Sequence, residues 1–274
     1  MKTNLTVIIL TYNEKLHIRR CLENVFQLNP KQVFVVDSPS TDGTDVIAAE
    51  MGATVVAHKY PGNQAAQFNW ALDNLPIEGE WILRLDADEY LFPETIEEVK
   101  SLLPKWDNKL VTSGGLPPDV TSLSLSRART FAGKRIKWGG AECIELVRFF
   151  KYGIGRSQNR AMDEHIVTSE GTNYKLKGLF IDDNLQSFEW WKQKHLNYAE
   201  REARQALEGV RGNKALYYKL PPYLRVFAYF CYRYFIRLGF LDGRAGWQWN
   251  FWQGLWYRWT VDKRIQEMKR ERRD

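Results

Sequence analysis

The first hundred residues alternate short apolar runs with segments of helical periodicity, and this alternation constrains the fold more than any other feature. The runs Leu5–Leu10, Val33–Val36 and Trp81–Leu85 are short and apolar, which is typical of buried strands. Between them, segments such as Glu14–Gln27 and Ala65–Leu75 carry apolar residues at helical spacing. Strands that alternate with helices predict an α/β fold with a mostly parallel, Rossmann-like sheet.

A polar motif follows each of three predicted strands. These motifs are Thr11-Tyr12-Asn13-Glu14, the segment Asp37–Thr44, and Asp86-Ala87-Asp88-Glu89. Ligands of parallel sheets bind beyond the carboxyl ends of the strands, so the three motifs are expected to share one site. Taken alone, the first two are also good helix-capping or turn sequences, and that alternative stays open.

The pair Asp86 and Asp88 is a candidate metal site. Two carboxylates one residue apart, at the end of a strand, can approach one hard cation, and Mg²⁺ or Mn²⁺ prefers such oxygen ligands. A bound cation would neutralise the charge that develops on a departing diphosphate. The alternative is a solvated acidic turn before the predicted helix Pro93–Leu103, where acidic residues are favoured.

The order of the three motifs resembles that of the family 2 glycosyltransferases of GT-A fold. Asp37 follows Thr11 by about 25 residues, and Asp86 follows about 50 residues later. The resemblance covers residues 4–100 closely and the rest of the chain more loosely. It implies that Thr11, Tyr12 and Glu14 line the nucleotide pocket and that Asp37 contacts the nucleoside. Asp86 and Asp88 would then serve the ribose, the diphosphate and the metal.

The resemblance also places other residues near the donor. Many relatives have two acidic residues where this chain has Asp37-Ser38, so a UDP-sugar is the favoured donor but follows less directly than diphosphate binding. Asn69 and Arg84 match family positions near the donor, with helix surface and ordinary ion pairing as the alternatives. Arg148 is a candidate partner of the donor phosphates or an ordinary ion-paired arginine.

Inverting transfer also needs a base that deprotonates the acceptor hydroxyl. The family takes it from an acidic motif that follows a Trp-Gly-Gly element, which here is Trp138-Gly139-Gly140 followed by Met162-Asp163-Glu164-His165. Asp163 and Glu164 are the candidates, with Glu164 preferred because it adjoins His165. A solvated acidic loop is the alternative. His165 is a candidate ligand of the metal or a phosphate, with a structural role as its alternative.

The C-terminal third is basic and aromatic. Residues 191–274 contain 18 Lys or Arg against 8 Asp or Glu, and the segment 217–259 contains seventeen aromatic residues interleaved with arginines. Trp and Tyr favour the membrane–water boundary, and arginines can reach anionic headgroups. The pattern predicts a monotopic amphipathic anchor on an anionic membrane surface. A helical pair packed on the catalytic domain is the main alternative; nucleic-acid binding is not expected, since nothing resembles an RNA-binding module.

Together these features predict a GT-A domain over residues 1–188, with a nucleotide-sugar half (1–104) and an acceptor half (105–188). A helical membrane-associating region follows over 189–274. The expected function is inverting transfer of a hexose from a nucleotide-sugar to a lipid-linked saccharide. The resemblance places this reaction in bacterial cell-surface polysaccharide or lipopolysaccharide synthesis, at the cytoplasmic face of the membrane, with Mn²⁺ or Mg²⁺.

The sequence is also compatible with two functions other than glycosyl transfer. A non-catalytic nucleotide- or saccharide-binding protein could keep the same fold. A nucleotidyltransferase would release pyrophosphate instead, but the first strand lacks a glycine- and lysine-rich phosphate loop.

Overall fold

The chain forms two compact units. The computed structural model describes residues 2–107, 110–112, 115–141, 144–158, 165–208 and 220–272. The first unit comprises residues 1–128 and 143–185, and the second comprises residues 129–142 and 186–274. The domain division after residue 188 stays a prediction.

Strands and helices alternate through the first part of the chain. In order they are β1 (Lys2–Thr11), α1 (Ile18–Phe26), β2 (Pro30–Asp37), α2 (Thr44–Glu50), β3 (Thr54–Ala57), α3 (Gln64–Asn74), β4 (Trp81–Asp86), β5 (Glu89–Leu91) and α4 (Pro93–Leu102). Strands dominate the next part: β6 (Lys105–Asp107), β7 (Leu110–Thr112), β8 (Val120–Phe131), β9 (Lys134–Ile136), β10 (Glu145–Lys151), β11 (Gly155–Ser157), β12 (Ile166–Thr168) and β13 (Thr172–Asp182).

One large sheet organises these strands, in the order β3-β2-β1-β4-β10-β8-β13-β5. The four strands β3, β2, β1 and β4 are parallel. Strand β10 runs antiparallel to β4 and β8, and β13 runs antiparallel to β5. Strands β11 and β12 form a separate hairpin. The predicted α/β fold with a mostly parallel central sheet is therefore confirmed.

The two faces of strand β1 bury different residues, because successive side chains of a strand point to opposite sides. Leu5, Val7 and Ile9 join one core cluster with residues of α1 and α4. Ile8 and Leu10 join a second cluster with residues of α3. Both faces of the central sheet are covered, which explains why these strands read as continuous apolar runs.

The second unit is largely helical. Its helices are α5 (Phe188–Glu208), α6 (Pro222–Cys231), α7 (Gly243–Trp249) and α8 (Tyr257–Glu271), with π-helical segments at Tyr232–Ile236 and Asn250–Trp256 and a 3-10 turn at Gly239–Asp242. Ala199 and Ala203 of α5 pack with Val261 and Ile265 of α8. The predicted helical, aromatic-rich C-terminal region is confirmed. No helix in the described ranges is both long and apolar enough to span a bilayer.

Candidate active site at the strand ends

Strand register brings the three polar motifs together at one edge of the sheet. Thr11, the last residue of β1, is paired with Asp37, the last residue of β2. On the other side of β1, Leu10 is paired with Asp86, the last residue of β4. Motifs that are separated by about 25 and 50 residues in the sequence therefore begin side by side, where parallel sheets bind ligands.

Asp37 ties the first two motifs to each other. Its Oδ1 accepts hydrogen bonds from the Thr11 hydroxyl at 2.7 Å and the Ser40 hydroxyl at 2.6 Å. Its Oδ2 accepts from the backbone N–H of Ser40 at 2.7 Å. Asn13 completes the link, because its backbone N–H donates to the Ser40 hydroxyl at 2.8 Å. Thr11 and Asp37 are both buried, so these bonds fix the floor of the predicted nucleoside pocket.

Tyr12 and Ser38, which follow β1 and β2, differ in their exposure. The ring of Tyr12 is 63% exposed and so is open to a ligand. Ser38 is buried, and its hydroxyl exchanges hydrogen bonds with the Gln67 side chain of α3, at 2.8 Å from Nε2. A neutral Ser–Gln pair thus occupies the second position of the Asp37-Ser38 motif.

Glu14 is oriented by a residue that the sequence interpretation missed. His17 is fully buried, and its Nδ1 lies 2.6 Å from Oε2 of Glu14. The Nε2 of His17 accepts the backbone N–H of Leu185 at 2.9 Å, so the ring proton must sit on Nδ1 and be donated to Glu14. In the sequence, His17 falls within the predicted helical segment Glu14–Gln27, and the acid three positions earlier was the only local signal.

The acidic turn after β4 concentrates negative charge. Burial, together with the neighbouring carboxylates of Asp182 and Asp86, raises the pKa of Asp88 to about 6. The Asn184 side chain donates to Oδ2 of Asp88 at 2.9 Å, which holds one oxygen in place. Asp182 is the last residue of β13 and Asn184 follows that strand, so the cluster combines two distant segments that the sequence did not connect.

A buried ion pair supports this turn. Glu89 and Arg148 are both buried, and Nη2 of Arg148 donates to Oε1 of Glu89. Oε2 of Glu89 accepts the backbone N–H of Asp86 at 3.1 Å. Arg148 therefore supports the acidic turn through Glu89, and its predicted contact with donor phosphates stays a prediction. The sequence left ion pairing open for Arg148, but no local pattern identified Glu89 as its partner.

Arg84 and Asn69 anchor the β11–β12 hairpin. The buried Arg84 donates from Nη1 to the Ser157 hydroxyl at 3.1 Å. The Asn69 amide donates to the Ser157 carbonyl at 2.9 Å and accepts its N–H at 3.0 Å. Both residues thus act on the last residue of β11, and their predicted contacts with the donor stay predictions.

The two candidates for the catalytic base, Asp163 and Glu164, fall within residues 159–164 and lie outside the described residues. His165 immediately precedes strand β12. The carbonyl of His165 accepts the N–H of Gln158 at 2.8 Å, which closes the hairpin at its described end. The role of His165 as a metal or phosphate ligand stays a prediction.

The donor set at the acidic turn fits a hard divalent cation. Oδ1 of Asp86 is buried and has no hydrogen-bond partner among the described residues. Nη2 of Arg84 lies 3.9 Å from this oxygen. Across the described ranges, no group of three or more His, Cys, Asp or Glu is arranged to hold a metal ion. Asp86 and Asp88 are therefore suited to a cation that also takes oxygens from a bound ligand, as Mg²⁺ usually does.

The fold is that of the GT-A glycosyltransferases. The model of the family described as glycosyl transferase family 2 matches residues 6–163, and the chain therefore belongs to this family. The predicted family is confirmed.

Individual relatives agree with this assignment. An uncharacterized glycosyltransferase of Rickettsia typhi is 24% identical over 88% of this chain and 80% of its own length. Another, from Rickettsia bellii, is 36% identical over 35% of this chain. The chain matches only about a third of the length of this relative and of those from R. conorii and R. felis.

A solved structure shares the fold over most of the chain. The mannosyltransferase PcManGT from Pyrobaculum calidifontis, in complex with GDP-Man and Mn²⁺, superposes with a TM-score of 0.52 at 17% identity. The similarity covers 97% of this chain and 87% of that one.

Proposed function

We propose that this chain is an inverting glycosyltransferase that moves a hexose from a nucleotide-sugar to a lipid-linked saccharide, with Mn²⁺ or Mg²⁺ as cofactor. Membership of glycosyl transferase family 2 supports the reaction class. The complex of PcManGT with GDP-Man and Mn²⁺ supports a nucleotide-sugar donor and a divalent cation. The chemistry of the strand-end site supports both in this chain.

The observation that carries the proposal is the meeting of Thr11, Asp37 and Asp86 at one sheet edge. The Asp37 network builds a rigid floor on one side, beside the exposed ring of Tyr12. The acidic turn with Asp88 lies on the other side. A nucleoside beside the Asp37 network and a diphosphate beside the acidic turn would together span this edge.

Asp86 and Asp88 are the residues that would hold the cation. When bound, the cation neutralises the charge of the departing diphosphate. Asn184 orients one oxygen of Asp88, and Glu89 fixes the backbone N–H of Asp86. These contacts hold the two aspartates in place before the donor arrives, which lowers the cost of ordering them on binding.

The acceptor hydroxyl attacks the anomeric carbon from the face opposite the diphosphate. A bond forms between the acceptor oxygen and the anomeric carbon while the bond from that carbon to the phosphate oxygen breaks. The proton of the hydroxyl passes to a carboxylate, for which we assign Glu164, with Asp163 as the alternative. The nucleoside diphosphate leaves with the electron pair of the broken bond.

The donor base, the acceptor and the place of action are the finer parts of the proposal. A UDP-sugar is the favoured donor, although the Ser38–Gln67 pair offers a base only neutral hydrogen-bonding groups. The aromatic and basic composition of residues 191–274 supports action at an anionic membrane surface. The lipid-linked acceptor, the inner face of the cytoplasmic membrane and the role in bacterial lipopolysaccharide or surface polysaccharide synthesis are proposed from the resemblance to bacterial family 2 glycosyltransferases.

Nucleoside diphosphate release tests the reaction. Purified protein is incubated with a panel of nucleotide-sugars with and without Mn²⁺, and the products are identified by mass spectrometry. Asp88→Asn should lower the rate at least about a hundredfold, because the cation loses a charged ligand. Asp119→Asn, the same change at an exposed position, should leave the rate unaltered.

Thermal unfolding separates loss of function from loss of fold. Burial and neighbouring carboxylates disfavour ionised Asp88, as its raised pKa shows, so Asp88→Asn should not lower the melting temperature. Full activity of Asp88→Asn would contradict the metal assignment. Release of no product by the wild type would favour a binding protein, and release of pyrophosphate from nucleoside triphosphates would favour a nucleotidyltransferase.

The base is tested separately. Glu164→Gln should retain donor binding and lose turnover, whereas Asp163→Asn should keep most of its activity. The opposite pattern would transfer the role of base to Asp163.

A further inference from the structure

The second unit presents five exposed apolar side chains within seven residues, in a segment that we name the apolar turn (Phe235–Leu241). Within these seven residues the large exposed side chains are those of Phe235, Ile236, Leu238, Phe240 and Leu241. Ile236 is 71% exposed and Phe235 is 56% exposed. Contiguous exposure of this kind marks an interaction surface, unlike single apolar residues scattered over a protein.

The backbone of the apolar turn is held by specific contacts. The carbonyl of Arg237 accepts the N–H of Gly139 at 2.9 Å, and its N–H donates to the carbonyl of Tyr232 at 2.8 Å. Gly239 packs so closely on buried Asn250 that a Cβ would lie 2.5 Å from the Asn250 amide nitrogen. The apolar side chains are therefore displayed on a fixed support.

Helix α6 extends the apolar surface with aromatic residues. Its exposed side chains are Tyr223, Leu224 and Phe227, and Trp247 of α7 is also 46% exposed. Tyr and Trp have an apolar ring and a polar group, which suits them to the boundary between lipid and water.

The charges near the apolar turn favour an anionic partner. Arg237 and Arg244 are exposed, and Asp242 is the one acidic residue between positions 220 and 261. The Asp242 carboxylate accepts the backbone N–H groups of Lys137 and Trp138, at 3.1 and 2.8 Å. A second copy of this surface would bring like charges together, whereas anionic phospholipid complements them.

We propose that the apolar turn and the exposed face of α6 form a docking surface that inserts into the headgroup–acyl boundary of an anionic bilayer. This proposal deepens the proposed function, since a lipid-linked acceptor is presented at that boundary. Its physical basis is separate, because it depends on exposure and charge in the second unit and on no residue of the strand-end site.

Vesicle flotation with the full chain tests the surface. The vesicles contain phosphatidylcholine alone or with phosphatidylglycerol. Ile236→Asp should lower partitioning into the anionic vesicles at least about tenfold, because a charged group replaces an inserted apolar one. Val46→Asp is the matched control, since Val46 is 55% exposed on helix α2 of the first unit, and it should float like the wild type. Arg244→Gln should lower partitioning about fivefold.

Circular dichroism checks that each variant is folded, and Phe227→Asp replaces Ile236→Asp if the latter unfolds. Absence of flotation by the wild type would overturn the proposal, as would equal flotation of Ile236→Asp and Val46→Asp. So would a wild-type dimer that Ile236→Asp converts to a monomer without any change in flotation.

Nucleotide-sugar turnover in vesicle-free solution keeps the two proposals distinguishable. Ile236→Asp should retain this turnover. Flotation without turnover by the wild type would contradict the proposed function alone, and turnover without flotation would contradict the docking surface alone.

Discussion

The buried pair of Glu89 and Arg148 makes a quantitative prediction about stability. Glu89 is 4% exposed and Arg148 is 6% exposed, so neither charge is well solvated. The guanidinium of Arg148 also packs against the ring of Phe180, whose centroid lies 4.7 Å away. Burial raises the pKa of Glu89, Arg148 opposes that rise, and the nearby Asp86 and Asp88 add to it.

The perturbation is Arg148→Met, which keeps the apolar stem and removes the charge. Breaking a buried ion pair at one partner costs about 3–5 kcal/mol. We expect the lower end, about 3 kcal/mol, because Glu89 can bind a proton once its partner is gone. For a chain of this size, that corresponds to a fall in melting temperature of about 6–12 °C.

The assay is thermal unfolding followed by circular dichroism, with Arg156→Met as the matched control. Arg156 pairs with Asp73 in an ion pair whose two side chains are each at least half exposed, so its loss should cost less than about 1 kcal/mol. The double variant Glu89→Leu/Arg148→Met removes both charges and should recover most of the loss. The reasoning is refuted if Arg148→Met costs no more than Arg156→Met, or if the double variant is less stable than Arg148→Met.

Three further predictions follow from single contacts. Gly155→Ala should destabilise the protein by about 1–3 kcal/mol in denaturant unfolding, because the added Cβ would lie 2.2 Å from the fully buried ring of Phe150. An unchanged unfolding midpoint would contradict this and show that strand β11 can move away from the ring. Asp262→Ala should cost about 3–5 kcal/mol, since it leaves the buried Arg225 without its carboxylate; a loss below 1 kcal/mol would contradict this. Tyr12→Ala should leave the free energy of unfolding within about 0.5 kcal/mol of the wild type, because the ring is exposed, but should weaken nucleotide binding about tenfold by calorimetry. Unaltered affinity would exclude stacking of the Tyr12 ring on the base of the nucleotide.

Much of the fold could be predicted from the sequence, because the central strands are buried on both faces. The runs around Ile8, Val35 and Leu83 are apolar for that reason, and the turn residues after them mark the carboxyl ends. The order of elements and the fold class followed from this pattern, whereas the family followed from the resemblance of the three strand-end motifs. Element bounds were less accurate: α1 begins at Ile18, because Glu14 and His17 form a turn ahead of it.

The supporting contacts of the site could not be predicted in the same way. Glu89 meets Arg148 because β10 runs antiparallel beside β4, and no local pattern reveals that register. Asn184 reaches Asp88 from a segment 96 positions further along the chain. Such pairs depend on how distant strands are arranged, whereas the motifs at strand ends are local in sequence.

Calorimetric binding of UDP and GDP tests the central claim most directly, namely that the aspartate pair after β4 binds a diphosphate through a divalent cation. In the wild type, Mn²⁺ should strengthen nucleotide binding at least about tenfold relative to EDTA, since the cation links the carboxylates to the phosphates. In Asp88→Asn that enhancement should disappear while the protein remains folded. Equal affinity with and without Mn²⁺ in the wild type, or an undiminished Mn²⁺ effect in Asp88→Asn, would contradict the account.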